Sequence, residues 1–245
     1  MLKNILAAIT FLTICPCPSS WAGDKDSLPK SVRYFPVVGI LIALFIAGCA
    51  ALWIKLFPPA VAAALTVFCV IGISGGFHLD GLADTFDGFF SSRNRDKILM
   101  IMHDSRIGTM GTAAIFFVLS LKIVSLSCLQ DSFYISAAVS VFLGRSVMSA
   151  HLRTIRYARN DGLGKIFFER NRLDLVIIVM IMIIVLLLIY GLSGFIIAII
   201  LLFAMLCFNR FCLSKINGAT GDTAGAICEL TECLFLVGMS ALNGA

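Results

Sequence analysis

Gly75-Gly76-Phe77-His78-Leu79-Asp80-Gly81-Leu82-Ala83-Asp84-Thr85-Phe86-Asp87-Gly88 sets three carboxylates and a histidine at the end of an apolar run, Ala60–Phe77, long enough to cross a membrane. Ionisable side chains at such a depth are unfavourable, so they mark function unless a partner explains them. Read as a helix from Asp80, the stretch puts Asp80, Asp84 and Asp87 at i, i+4 and i+7, within about a 60° arc of one ridge. Like charges on one ridge repel each other. A divalent cation removes the conflict, and oxygen-only ligands suit Mg²⁺, which takes one or two carboxylates, several waters and substrate phosphates. The plainer alternative is a solvated acidic helix end. Leu79, Leu82, Phe86, Phe89 and Phe90, interleaved with the acids, argue against it. His78 points away from Asp80 on an ideal helix. It joins the site only if the backbone is irregular at Gly75-Gly76, and otherwise it merely caps the span.

The rest of the chain fits a membrane setting. Of its 245 residues 60% are hydrophobic and 13% charged, where a soluble domain carries about 25% charged residues. Mean hydropathy is +1.00. Seven apolar runs can be drawn: Val37–Phe57, Ala60–Phe77, Met110–Cys128, Phe133–Ala150, Leu175–Tyr190, Ser193–Phe208 and Ala224–Ala241. The 34 residues from Leu175 to Phe208 exceed one crossing and divide at Gly191-Leu192-Ser193-Gly194. The last run carries Glu229 and Glu232 and is the weakest of the seven. The expected architecture is all-α, a polytopic helical bundle of about seven transmembrane helices in one domain, 1–245. The nine cysteines show no CxxC pair and imply neither a disulfide framework nor a zinc site.

Charge gives the sidedness. Seventeen of the 19 Lys and Arg residues fall in alternate inter-span segments or, like Arg145, near a span end on that side. Lys55 and Lys122 are the exceptions, both read as snorkelling at the opposite ends of spans. The positive-inside rule then places the N-terminus and the acidic stretch in the cytoplasm. Met1–Ser20 imitates a signal peptide with small residues near Ala22, but translocating Lys25–Arg33 would spoil this pattern. A retained interfacial helix, ended by Pro16 and Pro18, is the better reading.

Two further constellations are polar. His103-Asp104-Ser105-Arg106-Ile107-Gly108-Thr109-Met110-Gly111 opens the third span. Asp104 or Ser105 can cap it, Gly108 and Gly111 leave amides for an anion, and Arg106 offers a fork suited to phosphate. An ordinary capped helix start reads as well. In Gly221-Asp222-Thr223-Ala224-Gly225-Ala226-Ile227-Cys228-Glu229-Leu230-Thr231-Glu232 the three acids span about an 80° arc. Glu229, two turns into the membrane, needs a metal or an arginine such as Arg145. The stretch reads as a second acidic wall facing the first. The basic loop Arg153–Arg172, with Asp161-Gly162-Leu163-Gly164-Lys165, suits either lipid headgroups or the guidance of a phosphorylated substrate.

GGFHLDGLADTFDG, IMHDSRIGTMG and GDTAGAICELTE, in this order and spacing, closely resemble the cobalamin synthase family of adenosylcobinamide-GDP ribazoletransferases, over essentially the whole chain. Phe11-Leu12-Thr13 and Tyr34-Phe35-Pro36-Val37-Val38-Gly39 resemble that family's opening and favour a retained N-terminus. The resemblance implies a Mg²⁺-dependent transfer at the bacterial inner membrane. A hydroxyl of α-ribazole, or of its 5′-phosphate, attacks the cobinamide-side phosphorus of adenosylcobinamide-GDP and GMP leaves. Asp80, Asp84, Asp87 and Asp222 would hold metal. Ser105, Arg106, Gly108 and Arg145 would take phosphate charge. Asp80, Asp84, Glu229 or His78 would serve as catalytic carboxylate or base. Expected partners are these small molecules and membrane lipid, with no nucleic acid; a homo-oligomer or contact with other corrinoid-pathway enzymes is left open. The rival readings are a CDP-alcohol phosphotransferase-like enzyme, a cation transporter, for which the chain lacks the usual internal repeat, and a non-catalytic membrane scaffold.

Overall fold

The computed structural model describes residues 1–15, 18, 27–159 and 162–243. Pro16, Ala22, Lys25 and Asp161, used above, lie outside the described residues. Helix α1 (Leu2–Leu12) has 11 residues, about 16 Å and too short to span. It buries Ala7, Ala8 and Leu12, and Phe11 stacks on Phe35 with ring centroids 5.7 Å apart. A short α2 (Ser27–Ser31) and a 3₁₀ turn lead into α3 (Phe35–Leu56), whose Pro36 sits in the first turn, where a missing N–H is harmless.

Helix α4 (Pro59–Ile73) is shorter than the run Ala60–Phe77 suggested: 15 residues reach about 22 Å, less than a bilayer core of about 30 Å. Gly75 and Gly76 end it with φ +62° and +74°, a left-handed pair that side chains disfavour, and the chain bends by 90°. Helix α5 (Phe77–Phe89) therefore starts three residues before Asp80 and runs across the end of α4. After α6 (Arg95–Ile101) come the long helices α7 (Thr109–Ser127), α8 (Phe133–Thr154), α9 (Arg172–Tyr190), α10 (Leu192–Ile216) and α11 (Gly221–Asn243). Six helices are long and apolar enough to cross a membrane, seven if the bent α4–α5 pair is counted as one span. Among the described residues there are no strands, only an isolated bridge between Tyr157 and Ala219. The chain is a polytopic all-α membrane protein.

The Leu175–Phe208 run does divide, at Gly191 (φ +59°), and α10 continues two turns past Phe208. The doubtful last run is a full helix of 23 residues, about 34 Å. Helix α8 is the most enclosed, flanked by α3, α9 and α11. Helices α9 and α10 are the least enclosed and turn Leu188 and Phe203 outward, as lipid-facing helices do. Close approach comes from small side chains: a Cβ at Gly39 would sit 3.2 Å from Cβ of Arg145.

Candidate active site

Helix α5 lies between α7 and α11, and two glycines set how near it comes to α11. A Cβ at Gly81 would stand 2.7 Å from the Asp222 carbonyl oxygen; one at Gly225 would stand 3.0 Å from that of His78. Backbone therefore touches backbone, and Asp222, near the start of α11, faces the α5 ridge. Asp80, Asp222 and Asp87 are the acidic charges that act on Asp84, and Arg159 is the opposing one. Arg159 Nη2 stands 3.4 Å from Asp222 Oδ2. Asp80, Asp84 and Ser105 line one cleft of about 480 Å³, together with the Gly75-Gly76 turn and Ile107.

Asp87 is used differently. Its carboxylate accepts the backbone N–H of Gly108 at 2.6 Å and of Gly111 at 2.8 Å. It caps α7 from a neighbouring helix, so neither Asp104 nor Ser105 does, and the amides reserved above for phosphate are filled by this carboxylate. Gly108 is thereby corrected from a phosphate donor to a donor for Asp87. A Cβ at Gly108 or Gly111 would come within 2.5 Å or 2.4 Å of that carboxylate, which explains both glycines.

The second wall is not a wall. Lys122 Nζ donates to Glu229 Oε2 at 2.5 Å and to Glu232 Oε2 at 2.6 Å, and Arg145 Nη1 donates to Glu232 Oε1. All four groups are almost wholly buried. Two anions meet two cations, which is the condition for keeping such charges in an apolar interior. Lys122 does not snorkel, and Arg145 belongs to the middle of α8 rather than to a span end. Glu229 leaves the catalytic set and Arg145 the phosphate set, because Glu229 is paired with Lys122 and Arg145 with Glu232. His78 also leaves the site: it is 1% exposed, faces the α11 side beneath Gly225, and neither ring nitrogen has a partner among the described residues.

Arg106 is 87% exposed and bonded to Asp104, Nη2 to Oδ2 at 2.6 Å. That guanidinium, through its hydrogen bonds, holds the Asp104 carboxyl down at about 2. Its chain neighbours Ser105 and Ile107 line the acidic cleft. Sequence reasoning missed Lys122 and Arg159 as site or network members. For Lys122 a signal existed: Glu229 and Glu232, three residues apart in one span, require cations from other spans, and Lys122, like Arg145 and Lys55, lies inside an apolar run.

Among the described residues no three His, Cys, Asp or Glu side chains form a ready metal cluster. Asp80 and Asp84 in one cleft, opposed by Asp222, still give the all-oxygen donor set of an ion that keeps most of its waters. Such a set would suit a hard ion such as Mg²⁺, with one or two protein ligands and the rest water and substrate oxygen.

Residues 4–240 match the family model described as cobalamin-5-phosphate synthase. A protein of Escherichia coli (strain K12 / DH10B) named adenosylcobinamide-GDP ribazoletransferase is 35% identical over 98% of this chain and all of its own length. One of the same name from Klebsiella pneumoniae (strain 342) is 38% identical over the same shares. No solved structure matches the chain.

Proposed function

The chain belongs to the cobalamin-5-phosphate synthase family, and from that premise we propose that it is an adenosylcobinamide-GDP ribazoletransferase whose chemistry runs in the cleft beside the α5 carboxylates. An α-ribazole hydroxyl, free or on its 5′-phosphate, adds to the cobinamide-side phosphorus. The phosphorus–oxygen bond to GMP breaks, GMP departs with that electron pair, and the hydroxyl proton passes to a carboxylate. The product is adenosylcobalamin or its 5′-phosphate.

Displacement at a pyrophosphate needs in-line positioning and charge neutralisation more than covalent help. Asp80 and Asp84 are the residues to hold Mg²⁺, with Asp222 across the gap. When bound, the ion neutralises phosphate oxygens and the departing GMP. The hydroxyl proton passes to whichever oxygen of Asp80, Asp84 or Asp222 the ion leaves free; His78, sealed under α11, cannot reach substrate. Asp87 fixes α5 to α7, and Ser105 and Arg106 meet phosphate at the rim. The basic inter-span segments support a cytoplasmic site in the inner membrane.

The observation that carries this reading is the pinning of the α5 carboxylates against Asp222 by Gly81, beside an open cleft of about 480 Å³. Asp84→Asn should lower Mg²⁺-dependent GMP release at least about 100-fold in purified, folded protein, the range for losing one electrostatic group at a reacting centre. Near-normal release would reject the assignment.

A further inference from the structure

A second cleft, of about 740 Å³, is lined by Arg156, Tyr157, Arg159, Lys165, Phe168 and Arg170 among others, and Arg159 ties it to Asp222. Four cations face one acid there, Glu169. Its size lies in the usual small-ligand range of roughly 300–1,000 Å³.

The cleft is built rather than incidental. The Tyr157 and Phe168 rings are packed at 5.1 Å between centroids. Gly162 and Gly164 fold against Tyr157, where a Cβ would stand 2.5 Å and 3.5 Å from its hydroxyl oxygen and ring. Its floor is tied to the start of α11: Ala158 N–H donates to Ala219 O at 2.8 Å, and Ala219 N–H donates to Arg156 O at 2.9 Å. Arg95 donates to Ala158 O and to Ile216 O, closing the same seam. Arg156 is committed to Asn217. Arg170 is exposed and has no partner among the described residues.

We infer that this basic cleft holds the nucleotide half of the substrate, the guanosine monophosphate that leaves, with Arg159 as the hinge between it and the acidic site. The inference rests on the transferase reading and adds a place for the leaving group. Arg159 contacts Asp222 on one side and lines the basic cleft on the other. A departing phosphate gains negative charge, which the α5 carboxylates would repel and the arginines would accept. Tyr157 offers an aromatic face for a purine. In-line displacement also requires the leaving group opposite the entering hydroxyl, and a second cleft, separate from the acidic one and joined to it through the Arg159–Asp222 contact, provides a second direction. Anionic lipid headgroups share the phosphate chemistry and are the competing source.

The test is equilibrium binding of GMP to the purified full chain, with Arg170→Ala and Lys165→Ala as variants. Each should weaken GMP about tenfold and raise KM for adenosylcobinamide-GDP, while affinity for α-ribazole 5′-phosphate stays as in the parent protein. GMP affinity should also fall with added salt. Unchanged GMP affinity in both variants overturns the inference. So does a loss confined to α-ribazole 5′-phosphate. A loss confined to stimulation by phosphatidylglycerol nanodiscs gives the cleft to lipid and overturns it as well. Should the parent protein bind GMP through Arg170 yet transfer no ribazole, the transferase reading fails while the nucleotide site stands.

Discussion

Helix α11 carries carboxylates at two levels, and their surroundings differ completely. At its start Asp222 faces Asp80 and Asp84, and the nearest positive side chain is Arg159, 3.4 Å from Asp222. Two turns deeper, Glu229 and Glu232 are matched charge for charge by Lys122 and Arg145. Both levels are acidic stretches inside apolar sequence. The deep level is balanced in charge without any ligand. The upper level leaves acids crowded beside an open cleft, which is why we propose that a cation from solution binds there. Neutralisation within the protein makes a structural element; its lack makes a site.

The sharpest way to break this contrast is to unbalance the deep level. Lys122→Met leaves two buried carboxylates with only Arg145, and loss of one partner from a buried pair costs about 3–5 kcal/mol. Its thermal unfolding midpoint in detergent should fall steeply, and adding Glu229→Gln should recover much of it. Asp84→Asn should do the reverse, leaving the midpoint unchanged or higher because it relieves repulsion. A Lys122→Met protein as stable as its parent would mean that the two levels do not differ in kind.

The next prediction concerns spacing. Gly81→Ala puts a Cβ 2.7 Å from the Asp222 carbonyl oxygen, where only backbone can give way. Moving α5 outward by a fraction of an ångström or more should lower the rate of GMP release by up to about 100-fold. Gly48→Ala, where no atom lies within 4 Å, is the matched control and should behave as the parent. Equal rates for the two variants would uncouple the Gly81 contact from the chemistry.

Much of this was legible in the chain, and the omissions share one cause. Hydropathy and Gly191 located the spans, and the i, i+4, i+7 spacing located the ridge, because both are local periodicities. Asp87 and Lys122 were misread for the opposite reason: their roles are set by residues 21 and 107 positions away, Gly108 and Glu229. A carboxylate filling amides looks, in sequence, like one that binds metal. A lysine six residues from the end of its apolar run looks like one that snorkels. His78 was placed correctly on the far face of α5, but that face proved to be an interior one packed under Gly225.

The smallest expected effect lies at the rim, where the contrast between spent and available charge is subtle. Arg106 is paired with Asp104, as Lys122 is with Glu229, yet it is 87% exposed and water can replace either partner. Such an exposed pair is weak and exchangeable, and a phosphate is a stronger acceptor for the same fork. Arg106→Ala should therefore raise KM for the pyrophosphate substrate severalfold, and Asp104→Ala, by freeing the guanidinium, should lower it. The carboxyl is held down at about 2, so its pairing exists above the ordinary aspartate range and disappears only as pH falls through that value. The opposed KM shifts should therefore persist at every pH from about 5 to 9. If the two variants shift KM in the same direction, Arg106 is as spent as Lys122, and the division between the two levels extends to the rim.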